Sequence, residues 1–163
     1  MNDTPPTVSE DALNLFAYTV GQTIQNFGTI EYLINETIEQ LVKDRTQCSQ
    51  VIKLPLVKRM HRLKILAAKD SASLLVNGID LAKLIESAKA CFKNRNKVAH
   101  NPVVIKKTVS NEVTSISIRI HVCRYAEARK AEEWLDIPEL EVFKIQSRAL
   151  LQPFNKLLAF YSK

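Results

Sequence analysis

Early in the chain the apolar side chains fall at Phe27, Ile30, Ile34, Ile38 and Leu41, a spacing of three or four that suits one buried helical face. The helix that carries them is expected to run from about Ser9 to Arg45. Ser9 is suited to cap it, and Glu10 and Asp11 follow where the helix dipole favours negative charge. Gly21 and Gly28 weaken the interior by up to ~1 kcal/mol each. Close packing against a neighbour or a kink is therefore expected near them, giving one bent helix or two.

The same spacing returns further along. Pro55 is tolerable in a first turn, and Leu56, Met60, Leu63 and Ala67 then mark a second helix to about Ala68. Asn77-Gly78 signals a turn, after which Asp80 is placed to cap a third helix with the stripe Leu81, Leu84, Ala88 and Cys91. Asp136-Ile-Pro-Glu139 has the form of a capping box. It opens a last helix along Leu140, Phe143, Ser147, Leu150, Phe154, Leu157 and Tyr161, with a kink expected at Pro153, which cannot donate its hydrogen bond.

Before that last helix the period shortens to two. Val103, Ile105, Ile116, Ile118, Ile120 and Val122 alternate with Lys106, Ser117, Arg119 and His121, which predicts a β-hairpin from about Pro102 to Cys123 with a turn at Ser110-Asn111. Tyr125 to Leu135 has only a weak apolar stripe and reads as a loop or short helix. The expected fold is mainly α. It is a bundle of four or five helices in a single domain over 1–163, with a small β-hairpin over 102–123 inserted before the last helix and a flexible tail over 1–8.

A length of 163 residues suits one core. The opening residues lack the basic and apolar regions of a targeting signal, and no stretch nears the ~20 apolar residues of a spanning helix, so a cytoplasmic protein with no membrane partner is expected. Cys48, Cys91 and Cys123 are odd in number and widely spaced, which argues for reduced thiols. His61, His100 and His121 are scattered as well, and neither a metal site nor a cofactor is expected.

Lys and Arg outnumber Asp and Glu by 23 to 17, a net charge of +6 that favours anionic partners. The excess is concentrated. From Val51 to Lys69 the chain carries Lys53, Lys58, Arg59, Arg62, Lys64 and Lys69 without an acid. Lys58, Arg59 and Arg62 are read as a cationic solvent face that could follow a nucleic-acid backbone such as RNA or suit an acidic protein or a membrane surface, although a merely solvated face fits the same pattern.

Arg95 follows Cys91 by four residues and so continues the apolar stripe of the third helix. A guanidinium there must find an anion, a carbonyl or an acid such as Glu31, because an unpaired buried charge costs several kcal/mol, on the order of 3 or more. His100 comes five positions later, rotated by about 140° on an unbroken helix. Pro102 disfavours helical geometry at Asn101, so the helix is expected to end near Ala99 or His100. The imidazole can then swing beside the guanidinium, or it can cap the last carbonyls of the helix.

Taken whole, Phe92-Lys-Asn-Arg95-Asn96-Lys97-Val-Ala-His100-Asn101-Pro102 resembles the R-x4-H signature of the HEPN superfamily (higher eukaryotes and prokaryotes nucleotide-binding). Members typically carry a polar residue after the arginine, as Asn96 does here. Phe27-Gly-Thr-Ile-Glu31-Tyr-Leu-Ile is similar to a run often found in the leading helix of such domains. The resemblance covers about Gly21 to the C-terminus, and the hairpin departs from the smallest members.

The resemblance implies a metal-independent endoribonuclease with Arg95, Asn96 and His100 in its active site and Glu31, Lys97 and Asn101 in support. It also implies a homodimer whose two motifs share a cleft, and a possible role as a toxin or defence effector held by an antitoxin or other regulatory protein. A non-catalytic module that binds RNA, a nucleotide or a partner is the alternative. The implied chemistry is sound on general grounds. RNA brings its own nucleophile, so histidine for proton transfer and arginine for the phosphorane charge supply the two needs.

Overall fold

A computed structural model describes residues 8–70, 75–110, 113–122 and 133–163. The expected tail over 1–8 lies almost wholly outside these residues, as do Asn111 of the expected turn, Cys123, and residues 124–132. Helix α1 spans Glu10–Leu41 and is capped by Ser9, whose side chain accepts from the Ala12 N–H at 3.2 Å. Its buried residues include Phe27, Ile30, Ile34 and Ile38, the stripe that the spacing predicts. No break separates it into two. Gly21 and Gly28 are exposed, and a Cβ at either would meet nothing within 4 Å, so of the alternatives expected there the chain takes a single helix, without close packing at the glycines.

The helix stops at Leu41, short of Arg45, because Asp44 starts a new one by accepting from the Gln47 N–H at 2.7 Å. This is α2, Arg45–Ile52, with Cys48 as its buried residue. Helix α3 follows over Leu56–Asp70, directly after Pro55. A small hairpin of β1, Leu75–Val76, and β2, Ile79–Asp80, then turns through Asn77 and Gly78, both at positive φ of 49° and 74°. That pair of left-handed residues is what a two-residue hairpin turn demands. Asp80 ends the hairpin and caps α4, Leu81–Ala99, accepting from the Lys83 N–H at 3.1 Å. That backbone hydrogen bond, with Lys83 beside it, holds the Asp80 carboxyl below the usual range.

Strands β3, Val103–Ser110, and β4, Val113–Val122, form the expected antiparallel hairpin, in register from Val103↔Ile120 to Ser110↔Val113. Part of the stretch read as loop or short helix is instead a third strand, β5, Glu133–Leu135, paired with the end of β4. Its three residues are too short to register a period, and what holds them is pairing with Val122, His121 and Ile120. Asp136 then caps α5, Ile137–Tyr161, in a reciprocal capping box with Glu139, and the helix continues through Pro153.

Two apolar cores share the long helices. The larger joins Phe27, Ile30, Ile34 and Ile38 of α1 to Met60 and Leu63 of α3, Ile85 and Phe92 of α4, and Phe154 and Leu157 of α5. In the smaller, Phe16 of α1, Val98 of α4 and Leu140 of α5 pack on the inner face of the sheet through Ile118, Ile120, Val122 and Leu135. Helices α1 and α5 run parallel, and polar pairs occupy the seam between them. Thr19 Oγ1 donates to Glu141 at 2.8 Å and, further along both helices, Asn26 Nδ2 donates to Ser147 Oγ at 3.1 Å. The nearby Lys144 ammonium, and then Thr19, hold the Glu141 carboxyl below its ordinary range. Among the described residues no helix is long and apolar enough to cross a membrane.

Candidate functional site

The last two turns of α4 pass from one core to the other. Phe92 is buried in the larger core against Phe27, with ring centroids 5.5 Å apart, while Val98 is buried in the smaller one against the sheet. Between these anchors Arg95 is half-buried and Asn96 is exposed. The helix then ends at Ala99, and His100 takes up φ −118° and ψ 6°, outside helical geometry, two residues ahead of Pro102. Unwinding at this point cancels the rotation that an intact helix would impose. His100 Nε2 lies 3.1 Å from Arg95 Nη1, and the same nitrogen of Arg95 donates to Asn96 Oδ1 at 3.3 Å.

A guanidinium has donors only, so the facing Nε2 acts as acceptor and the imidazole proton sits on Nδ1. The terminal carbonyls of α4 have a different cap. Asn101 Nδ2 donates to the Lys97 carbonyl at 2.8 Å and, more distantly, to that of Asn96 at 3.4 Å. Lys97 in turn forms an ion pair with Glu133 of β5, tying the helix to the sheet edge. Asn101 and Lys97 thus fix the shape of the helix end, and the exposed imidazole of His100 faces Arg95.

Glu31 is not the acid that takes up Arg95. It pairs with Arg59, whose Nη1 also donates to Asn35 Oδ1 at 2.7 Å. Arg59 is buried, with its Nε lacking a hydrogen-bond partner among the described residues. This corrects its assignment to the solvent face with Lys58 and Arg62, which are both exposed. The pattern held the signal. Arg59 lies three residues after Leu56 and four before Leu63, on the apolar stripe itself, and Glu31 and Asn35 stand one turn apart on α1 to receive it.

Glu31, the start of α3 at Pro55 to Val57, Phe92, Arg95 and Asn96 line one surface depression. Arg95 therefore opens onto a hollow whose one carboxylate rim is already neutralised by Arg59. Arg62 and Lys69 border a separate groove between α2 and α3 with Gln47 and Gln50. A wider groove between α1 and α2 mixes Glu39 with Lys43, Arg45 and Cys48 and shares no residue with the motif. Burial pushes the Cys48 and Cys91 thiols up, which makes them poor nucleophiles. Among the described residues no three His, Cys, Asp or Glu side chains gather as metal ligands.

No protein-family model matches the chain, and comparison with curated proteins and with solved structures finds no match either.

Proposed function

We propose that this protein is a metal-independent endoribonuclease of HEPN type, with Arg95 and His100 as its reacting pair. The observation that carries this reading is the 3.1 Å approach of Arg95 Nη1 to His100 Nε2 at an exposed helix end, with Glu31 bound elsewhere. Both side chains can turn to a phosphate without breaking a buried pair. In the reaction His100 removes the 2′-hydroxyl proton, and the oxygen attacks the adjacent phosphorus. Arg95 holds the non-bridging oxygens through two N–H groups as charge develops, and Asn96 steadies the guanidinium. The 5′-oxygen leaves with a proton, giving a 2′,3′-cyclic phosphate and a free 5′-hydroxyl.

In an in-line displacement the attacking 2′-oxygen and the leaving 5′-oxygen lie on opposite sides of the phosphorus, so a second copy that brings its own His100 to a shared cleft completes the site by protonating the leaving oxygen. A homodimer in the cytoplasm is the working form in this reading. Its partners are RNA and a masking antitoxin or other regulator, consistent with a toxin or defence role.

The test is cleavage of total RNA by purified protein in EDTA, followed by analysis of the product ends. Replacing His100 with Ala is expected to slow single-turnover cleavage by ~10² to 10⁴, with folding and RNA binding retained. Arg95→Lys is expected to fail as well, because an ammonium cannot make the bidentate contact. If His100→Ala protein that is folded and dimeric cuts at the wild-type rate, the reading is wrong and a non-catalytic RNA-binding module replaces it.

A further inference from the structure

Arg95 belongs to two neighbourhoods at once. Its Nη1 meets His100, and its side chain also lines the hollow between Glu31 of α1, the start of α3, and Phe92 and Asn96 of α4. The hollow measures about 330 Å³, within the roughly 300 to 1,000 Å³ of small-ligand sites. Its walls combine apolar and hydrogen-bonding groups. Pro55, Leu56 and Val57 bring the start of α3, where Val57 is exposed and belongs to neither core.

The polar groups are only partly engaged. Glu31 accepts from Arg59 at Oε1, while its Oε2 has no hydrogen-bond partner among the described residues. Asn96 accepts from Arg95 at Oδ1, which leaves its amide N–H groups as donors. The balance of charge then selects among occupants. A carboxylate on the wall repels a phosphate, and the Arg59 guanidinium beside it removes the attraction for a cation, so the fitting guest is neutral and brings its own N–H donors. A purely apolar guest would leave the free carboxylate oxygen unmet, at a cost in affinity.

We propose that this hollow is a guanine-reading pocket for single-stranded RNA. Guanine alone among the common RNA bases presents adjacent N1–H and exocyclic N–H donors with a carbonyl oxygen next to them. Glu31 accepts from the two donors, Asn96 donates to the carbonyl, and Arg95 joins the held base to its phosphate at His100. The proposal rests on the nuclease reading and gives it a substrate class, unpaired segments cut beside guanine. A base in a duplex has this edge engaged by its partner strand and is refused.

The probes are 2′-O-methyl octanucleotides, which lack the nucleophile, each a run of uracil with one variable central base and a terminal fluorescein read by anisotropy against the full chain. Guanine at the variable place is expected to bind roughly ten- to hundredfold more tightly than adenine or uracil. Hypoxanthine, which lacks the exocyclic amine, is expected to fall between them, and 7-deazaguanine, altered only on its far edge, to match guanine. None of these comparisons needs a variant to fold. Glu31→Gln keeps an oxygen for Arg59 but puts an N–H donor in place of the free oxygen, and is expected to bring guanine and adenine to near-equal affinity.

Equal affinities across the base series overturn the pocket, and so does a guanine preference that folded Glu31→Gln protein retains. A Glu31 that served only to hold Arg59 would give that second result, with a lowered melting temperature. Unmodified RNA octamers in EDTA separate the two claims. A Glu31-dependent guanine preference without cleavage removes the nuclease and leaves a guanine-reading single-strand module, whereas His100-dependent cleavage that ignores the base removes the pocket alone.

Discussion

Arg59 and Arg95 are the same side chain put to opposite uses, and a single acid decides between them. Glu31 pairs with Arg59 beneath the surface, which leaves Arg95 to His100 and Asn96. Removing the carboxylate by Glu31→Ala is expected to destabilise the fold by about 1.5 to 3 kcal/mol, the usual range for a hydrogen bond to a charged group, as read by urea unfolding. Lys58 and Arg62 stand apart from this. If RNA is the partner, as proposed, changing both to Gln should flatten the salt dependence of its binding by about one unit of slope for each phosphate left without its cation, whereas Arg59→Gln should lower stability with no change in slope. A slope that responded to Arg59 and ignored the other two would reverse the assignment. The R-x4-H pair is legible in the sequence because a helix end and a proline stand beside it. Arg59 is harder to see, since the run of charge around it masks its place on the stripe, three residues from Leu56 and four from Leu63.

At the scale of elements, local chemistry carries furthest where it is self-contained. Ser9, Asp80 and Asp136 cap the helices that they are expected to cap, since each needs only its own side chain and an N–H three residues on. The β3–β4 pairing is legible for a similar reason, apolar and polar residues alternating along β4 from Ile116 to Val122. By contrast α2 and β5 are held by neighbours, α2 with Cys48 as its buried residue and β5 by pairing with β4, and such short pieces leave no periodicity. The glycines of α1 fall between these cases. Their presence suggests a contact, but space surrounds both, so Gly28→Ala is expected to stabilise the protein by about 0.5 to 1 kcal/mol through helix propensity alone. A fall in the thermal midpoint would mean that something in solution does press against that side of the helix.

Across the whole molecule the division into two cores matters more than the number of helices. Sequence patterns place Ile34, Leu84 and Leu150 inside, and all three are buried, but no pattern says which core a residue joins, because that depends on where the sheet lands. The distinction is measurable. Ile34 in the larger core and Ile120 in the smaller are both fully buried, and truncating either to Ala should cost ~2 to 5 kcal/mol. Under the proposed nuclease function, at a temperature where both variants stay folded, Ile120→Ala is expected to slow RNA cleavage and Ile34→Ala to leave it near wild type, since Ile120 shares a core with Val98 and supports the end of α4. Equal rates for the two variants would sink that expectation.

The handover along α4 therefore bears on control as well as on stability. Phe92 is clamped at one end and Val98 at the other, so the gap between Arg95 and His100 behaves like the jaws of tweezers whose arms are gripped in separate vices. A protein that seized the sheet alone would shift one arm and spread the jaws without entering the cleft. Under the proposed nuclease function, an antidote to this chain would need neither to resemble its substrate nor to compete with it.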